Sequence, residues 1–173
     1  MIARILIPAV AILLFLLESE FAMFSPIFWN EHTLILVPRF LMLYLIFLAV
    51  YYNRKRAVLY GLCFGILYDV FYIDIIGLYS VLYPLVCFIA GWSVKRIHPN
   101  LIFTTILAIL LMSLLEFVLY GFFFWIDFTS MTIDTFLFNR LVPTTLANLL
   151  FLIMLGWAFK YLINTRVLHN VQD

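Results

Sequence analysis

The chain has 173 residues, of which 67% are hydrophobic and 11% charged, with a net charge of +1 and a mean hydropathy of +1.16. A soluble domain is about 45–50% apolar and about 25% charged, so this chain cannot cover its apolar surface in water. It leaves no room for an extramembrane domain and reads as one transmembrane domain over 1–173 with short loops.

Six apolar runs follow in chain order, at approximately 2–17, 33–52, 57–73, 78–94, 101–126 and 136–162. The first starts Met1 to Arg4 like a signal peptide, but Glu18-Ser19-Glu20-Phe21 offers no small-residue cleavage site, so it is expected to stay as the first span. The runs are continuously apolar rather than alternating, which predicts helices and not barrel strands. The expected architecture is an all-α, six-helix transmembrane bundle. Between the first two runs, Phe21, Phe24, Phe28 and Trp29 stand beside Pro26 and three acids. They read either as an interfacial aromatic belt or as a segment that docks back onto the bundle.

Charge gives the orientation. Arg4, Arg54, Lys55, Arg56, Lys95, Arg96, Lys160 and Arg166, eight of the ten basic residues, fall on one side of a six-span path. The other side carries Glu18, Glu20, Glu31, Asp74, Asp127 and Asp134. The positive-inside rule makes the basic side, with both termini, cytoplasmic.

Four charges remain inside the runs: Arg39, Asp69, Glu116 and Arg140. Each costs roughly 2.5–3.5 kcal/mol at the centre of a lone helix and is a candidate site residue. Two acids and two bases at similar depth predict mutual pairing, with Asp69 bound to Arg39 or Arg140; the alternative is that some face a cavity or a partner helix. Gly61, Gly65 and Asp69 recur every four residues on one face of the third span, and Gly61-x-x-x-Gly65 is a small-residue pattern for close helix approach. This face serves either internal packing or partner contact. Cys63 and Cys87 read as small packing residues. His32, His98 and His169 lie outside the runs, no G-x-S-x-G or H-E-x-x-H occurs, and Tyr68-Asp69 lacks the second intramembrane aspartate a protease would need. No enzyme activity, metal or cofactor is expected.

The stretch Gly61-Leu-Cys-Phe-Gly65-Ile-Leu-Tyr-Asp69, followed by Gly77-Leu-Tyr-Ser, resembles the signature of the MreD family of bacterial rod shape-determining membrane proteins. The family pattern is G-F-x-x-G-x-L-x-D, then L-G; here leucine follows the first glycine and isoleucine precedes Gly77. Val37-Pro38-Arg39-Phe40, Leu115-Glu116-Phe117 and Arg140-Leu-Val-Pro143-Thr resemble the start of the family's second span, the acid of its fifth and the start of its last. The resemblance implies a non-catalytic scaffold of the peptidoglycan elongation complex in the bacterial inner membrane. Its implied partners are MreC and, through it, MreB, RodA and a penicillin-binding transpeptidase, with membrane lipid around it and no nucleic acid. It also implies a fold similar to the S-components of energy-coupling-factor vitamin transporters. Two rivals fit the intramembrane charges: an S-component-like carrier with a pocket lined by Arg39, Asp69 and Arg140, and a lipid-handling protein. Asp69 and Glu116, by neutralising the arginines, weigh against a strong anion site.

Overall fold

Six helices and one short hairpin make up the computed structural model, which describes residues 2–29, 32–73, 75–94 and 99–169. The helices are α1 (Ile2–Ala22), α2 (Phe40–Tyr51), α3 (Arg54–Phe71), α4 (Leu78–Ser93), α5 (Leu101–Trp125) and α6. The last begins at Ile133–Phe136, passes through a π-helical turn at Leu137–Leu141 and runs on as Val142–His169. Strands β1 (Ile27–Trp29) and β2 (His32–Leu34) pair antiparallel with Ile27 opposite Leu34. Glu31, Asp74, Lys95, Arg96 and His98 lie outside the described residues, as do the side chains of Arg4, Phe28, Trp29, His32, Arg166 and His169. The chain is all-α and of membrane type, as its composition predicts.

Helix lengths differ in a way the apolar runs conceal. Ile5–Ala22, Leu101–Trp125 and Ile133–Asn164 are long and apolar enough to cross a membrane. At 1.5 Å per residue, the 12 residues of α2 reach only about 18 Å, short of the ~30 Å hydrocarbon core. The run 33–52 is therefore not one helix. Its first part is β2 followed by extended chain, and the helix begins only at Phe40. Pro38 explains the late start, because it supplies no N–H and disfavours helical geometry in the residue before it. The first helix also runs further than its apolar stretch, to Ala22 instead of 17. The segment after it forms the hairpin, so part of the aromatic stretch docks as local sheet.

The core forms around α2. Every residue from Phe40 to Val50 is buried, which is why its sequence is apolar all round rather than along one stripe. The helices around it bury one face and leave Leu59, Val81, Ile106, Leu146 and Ile153 exposed to the lipid side. At the tight α2–α3 turn, Asn53 Oδ1 accepts the Lys55 N–H at 2.9 Å and the Arg56 N–H at 3.3 Å, capping α3. The α3–α4 hairpin closes on glycine. A Cβ on Gly61 would sit 3.1 Å from the backbone of Tyr83 and Pro84, and one on Gly65 only 2.5 Å from the Tyr79 carbonyl oxygen. Gly61 and Gly65 thus pack closely against α4.

Candidate functional site

The polar residues gather at the end of the bundle opposite the Arg54–Arg56 turn. Arg39 stands where extended chain becomes α2, Glu116 projects from α5, and Arg140 comes from the π-helical turn of α6. Glu116 is completely buried and holds both bases: Oε1 accepts from Arg39 Nε at 2.6 Å and Oε2 from Arg140 Nη2 at 3.2 Å. Arg39 also donates from Nη2 to Tyr79 Oη at 2.9 Å, and its guanidinium lies 5.2 Å from the Tyr79 ring centroid. Two charge-assisted bonds to one carboxylate tie three elements together. The Arg39 side chain is 4% exposed and that of Arg140 29%, so the first pair is sealed and the second reaches a cavity edge. The π-helical turn is the local cause of Arg140's position, because a widened turn rotates the residues within it relative to the helix on either side.

Asp69 is not part of this network. Its carboxylate accepts three backbone N–H groups: Gly77 at 2.9 Å, Tyr79 at 2.7 Å and Ser80 at 3.0 Å. Among the described residues, the salt bridges of the arginines go to Glu116 alone. The expected pairing of Asp69 with Arg39 or Arg140 is therefore corrected. The first N–H groups of α4 have no intrahelical partner, and the Asp69 carboxylate supplies the acceptors they lack. Gly77 makes the approach feasible. Its φ of +116° turns the chain into α4 in a conformation that side-chain-bearing residues rarely adopt. Tyr79 joins the two systems, bonding Asp69 through its N–H and Arg39 through its hydroxyl.

Four residues that sequence reasoning passed over complete the arrangement. The extended segment before α2 would leave its backbone unpaired in a medium without water, a cost of several kcal/mol for each group. Instead, Thr144 Oγ1 accepts the Val37 N–H at 3.1 Å and donates to the Ile35 carbonyl at 3.2 Å. Asn148 Oδ1 accepts the Arg39 N–H and Asn148 Nδ2 donates to the Val37 carbonyl, both at 2.9 Å. Ser25 Oγ takes the Leu36 N–H at 3.0 Å. Glu18, expected in a loop, is buried within α1, and its Oε1 accepts the Leu41 N–H at 2.7 Å, capping α2 from outside. The signal was present: Ile7, Ala11, Leu14 and Glu18 are spaced as one buried helical stripe. Thr144, Asn148 and Leu152 form the same kind of stripe on α6.

A cavity of ≈ 240 Å³ lies over the network, walled by Glu18, Arg39, Tyr68, Tyr79, Phe123 and Arg140, among others. Asp69 is not on its walls, so this cavity does not bring together the Arg39, Asp69 and Arg140 lining expected of a carrier pocket. Cys87 is buried beside Gly61 while Cys63 is exposed, and the described residues hold no group of three potential metal ligands.

Comparison with known proteins places this architecture. The profile of the family described as rod shape-determining protein MreD matches residues 3–166. The rod shape-determining protein MreD of Bacillus subtilis (strain 168) is 35% identical over 157 residues, covering 91% of each chain. No solved structure matches. The match runs from α1 through α6 and takes in Arg39, Asp69, Glu116 and Arg140 alike. The chain belongs to the MreD family of rod shape-determining membrane proteins.

Proposed function

We propose that the chain is a non-catalytic membrane scaffold of the bacterial cell-elongation complex, maintaining rod shape by binding MreC and, through it, MreB, RodA and a penicillin-binding transpeptidase. The observation that carries this reading is the match to the rod-shape family across nearly the whole chain. The use of the intramembrane polar groups supports it. Glu116 fixes α5 to the start of α2 and to α6, Asp69 fixes α3 to α4, and Thr144 and Asn148 fix α6 to the extended segment. Such groups hold a shape, as a scaffold requires. Because α4 covers Gly61 and Gly65, partner contact falls to the exposed apolar faces.

Gentle solubilisation and purification should recover MreC in stoichiometric amount, and depletion of the chain should turn rods into spheres. Purification without MreC, together with unchanged shape on depletion, would overturn the reading.

Within this proposal the protein crosses the inner membrane six times, with both termini and the Arg54–Arg56 turn in the cytoplasm. The segregation of basic and acidic loops supports that orientation. In a background lacking Cys63 and Cys87, single cysteines at Asn53 and Asn100 should resist an impermeant thiol reagent in intact cells. A cysteine at Thr129 should react. Labelling of Asn53 or Asn100 from outside would defeat the topology.

A further inference from the structure

At the Arg54–Arg56 end of the bundle, one basic side chain runs towards the membrane interior instead of out to water. Arg54 is the first residue of α3, and α4 comes down antiparallel beside it to Ser93. The Arg54 stem lies across Gly91, where a Cβ would stand 2.5 Å from Arg54 Cγ and 2.8 Å from Arg54 Cβ. Its guanidinium carbon is 4.8 Å from the centroid of the Phe88 ring. Phe88 precedes Gly91 by one turn of α4, so it lies about 4.5 Å deeper at 1.5 Å per residue. Side chains leave a helix tilted towards its N-terminus, which aims Phe88 deeper still and starts Arg54 the opposite way. Arg54 therefore bends back against the tilt of its own helix. Long basic side chains at helix ends ordinarily run out to the interface.

The guanidinium so placed meets no acid of this chain. The sequence has no Asp or Glu between Glu31 and Asp69, nor between Asp74 and Glu116. Those stretches hold all of α2 and α4 and the beginnings of α3 and α5. Among the described residues, the ion pairs are those of Glu116 with Arg39 and Arg140. The neighbours add charge of the same sign: Lys55 and Arg56 are exposed, and Lys95 and Arg96 follow α4 in the sequence. The Phe88 face attracts a cation but brings no negative charge. The site is also reachable, because Val81, Leu85, Phe88 and Trp92 form the exposed stripe that α4 turns to lipid. A guanidinium presents its donors in a planar fork that fits phosphate oxygens two at a time. On a lipid-facing surface at the end of a bundle, the phosphate at hand is that of a phospholipid headgroup.

We propose that Arg54, its stem seated on Gly91 and its head over Phe88, binds the phosphate of an anionic phospholipid where α3 meets α4. The acyl chains of that lipid run deeper along Leu85 and Val81. The surrounding basic residues favour a headgroup of net negative charge over a zwitterionic one. The site takes its leaflet, the cytoplasmic one, from the six-span orientation and is independent of the scaffold role. Nanodiscs expose both leaflets, so a failure of that orientation leaves the lipid test untouched.

The test uses the full chain in nanodiscs of phosphatidylcholine with a rising share of phosphatidylglycerol. Retained lipid is counted by native mass spectrometry, and the thermal midpoint is followed alongside. The parent should retain phosphatidylglycerol saturably and gain stability as it is added, and inorganic phosphate should not displace it. Arg54→Gln keeps a stem on Gly91 but loses the charge. It should weaken retention about tenfold, the size of one hydrogen bond to a charged group, with its midpoint in pure phosphatidylcholine unchanged. Lys55→Gln removes the same charge one residue away and should change retention less than about twofold. Phe88→Leu, at an exposed position, removes the ring under the guanidinium and should weaken retention severalfold; it decides the matter if Arg54→Gln does not fold. The proposal fails if phosphatidylglycerol is not retained saturably, as when the site takes an acidic protein segment instead, or if inorganic phosphate displaces it. It fails equally if Lys55→Gln costs as much as Arg54→Gln, or if Arg54→Gln and Phe88→Leu both retain the lipid like the parent.

Discussion

The α3–α4 hairpin and the junction of α2 with α6 solve one problem by opposite routes. Each must pair backbone polar groups inside an apolar bundle, where an orphaned N–H has no water to turn to. In the hairpin, one carboxylate does so locally: Asp69 reaches Gly77, Tyr79 and Ser80, which lie 8, 10 and 11 residues away. At the junction the partners come from across the chain, with Glu18 at 23 residues' separation, and Thr144 and Asn148 at 107 and 109. The hairpin is therefore a unit that two neighbouring helices and a turn can complete by themselves. The junction exists only once α1, α2 and α6 have met. The difference teaches that a short motif in a membrane sequence marks local closure, while nothing in the sequence names the partners of the polar groups that bind distant segments.

Overfilling the hairpin is the largest expected break in this comparison. Gly65→Leu would put a side chain where even a Cβ lies 2.5 Å from the Tyr79 oxygen and 2.7 Å from Ser80 Cα. Both are backbone-held, so the penalty exceeds the roughly 1–3 kcal/mol typical of overpacking. The variant should fail to accumulate in membranes, read by immunoblot. Gly121→Leu, where a Cβ meets nothing within 4 Å, should accumulate normally; equal levels of the two would refute the close α3–α4 contact.

Removing the hairpin's cap comes next. Asp69→Ala orphans three N–H groups at about 1–3 kcal/mol each, and its loss of detergent stability should be additive with Arg140→Gln, since Arg140 bonds Glu116 and shares no hydrogen-bond partner with Asp69. The three bonds of Asp69 go to backbone, so no coupling to the arginine charge is expected beyond ~0.5 kcal/mol. A strong coupling in that double-mutant cycle would restore an ion pair in place of the cap.

The junction should yield a smaller effect from any single change, because several groups share the work. Asn148→Leu leaves the Arg39 N–H and the Val37 carbonyl without that side chain, and should cost about 1–3 kcal/mol for each of the two. Amide exchange at Val37 and Arg39 should rise while exchange at Tyr79 stays unchanged. Faster exchange at Tyr79 as well would mean the two regions unfold together, with Tyr79 as their coupling.

Composition alone fixed the solvent this chain folds in, and the long apolar runs located its helices, because a bilayer admits few other solutions. The signature from Gly61 to Asp69 marked the α3–α4 contact, since close approach needs glycine at a spacing visible in the sequence. Four intramembrane charges were equally legible as residues, but their partners were not. Asp69 and Glu116 look alike in sequence, yet one caps a helix and the other holds two arginines. Which acid meets which donor depends on positions in three dimensions, and hydrogen bonds to backbone N–H leave no complementary residue to find. The same holds for the run 33–52, where only the approach of Thr144 and Asn148 makes extended chain affordable. Tertiary structure decided these points because it alone supplies the partner that replaces water.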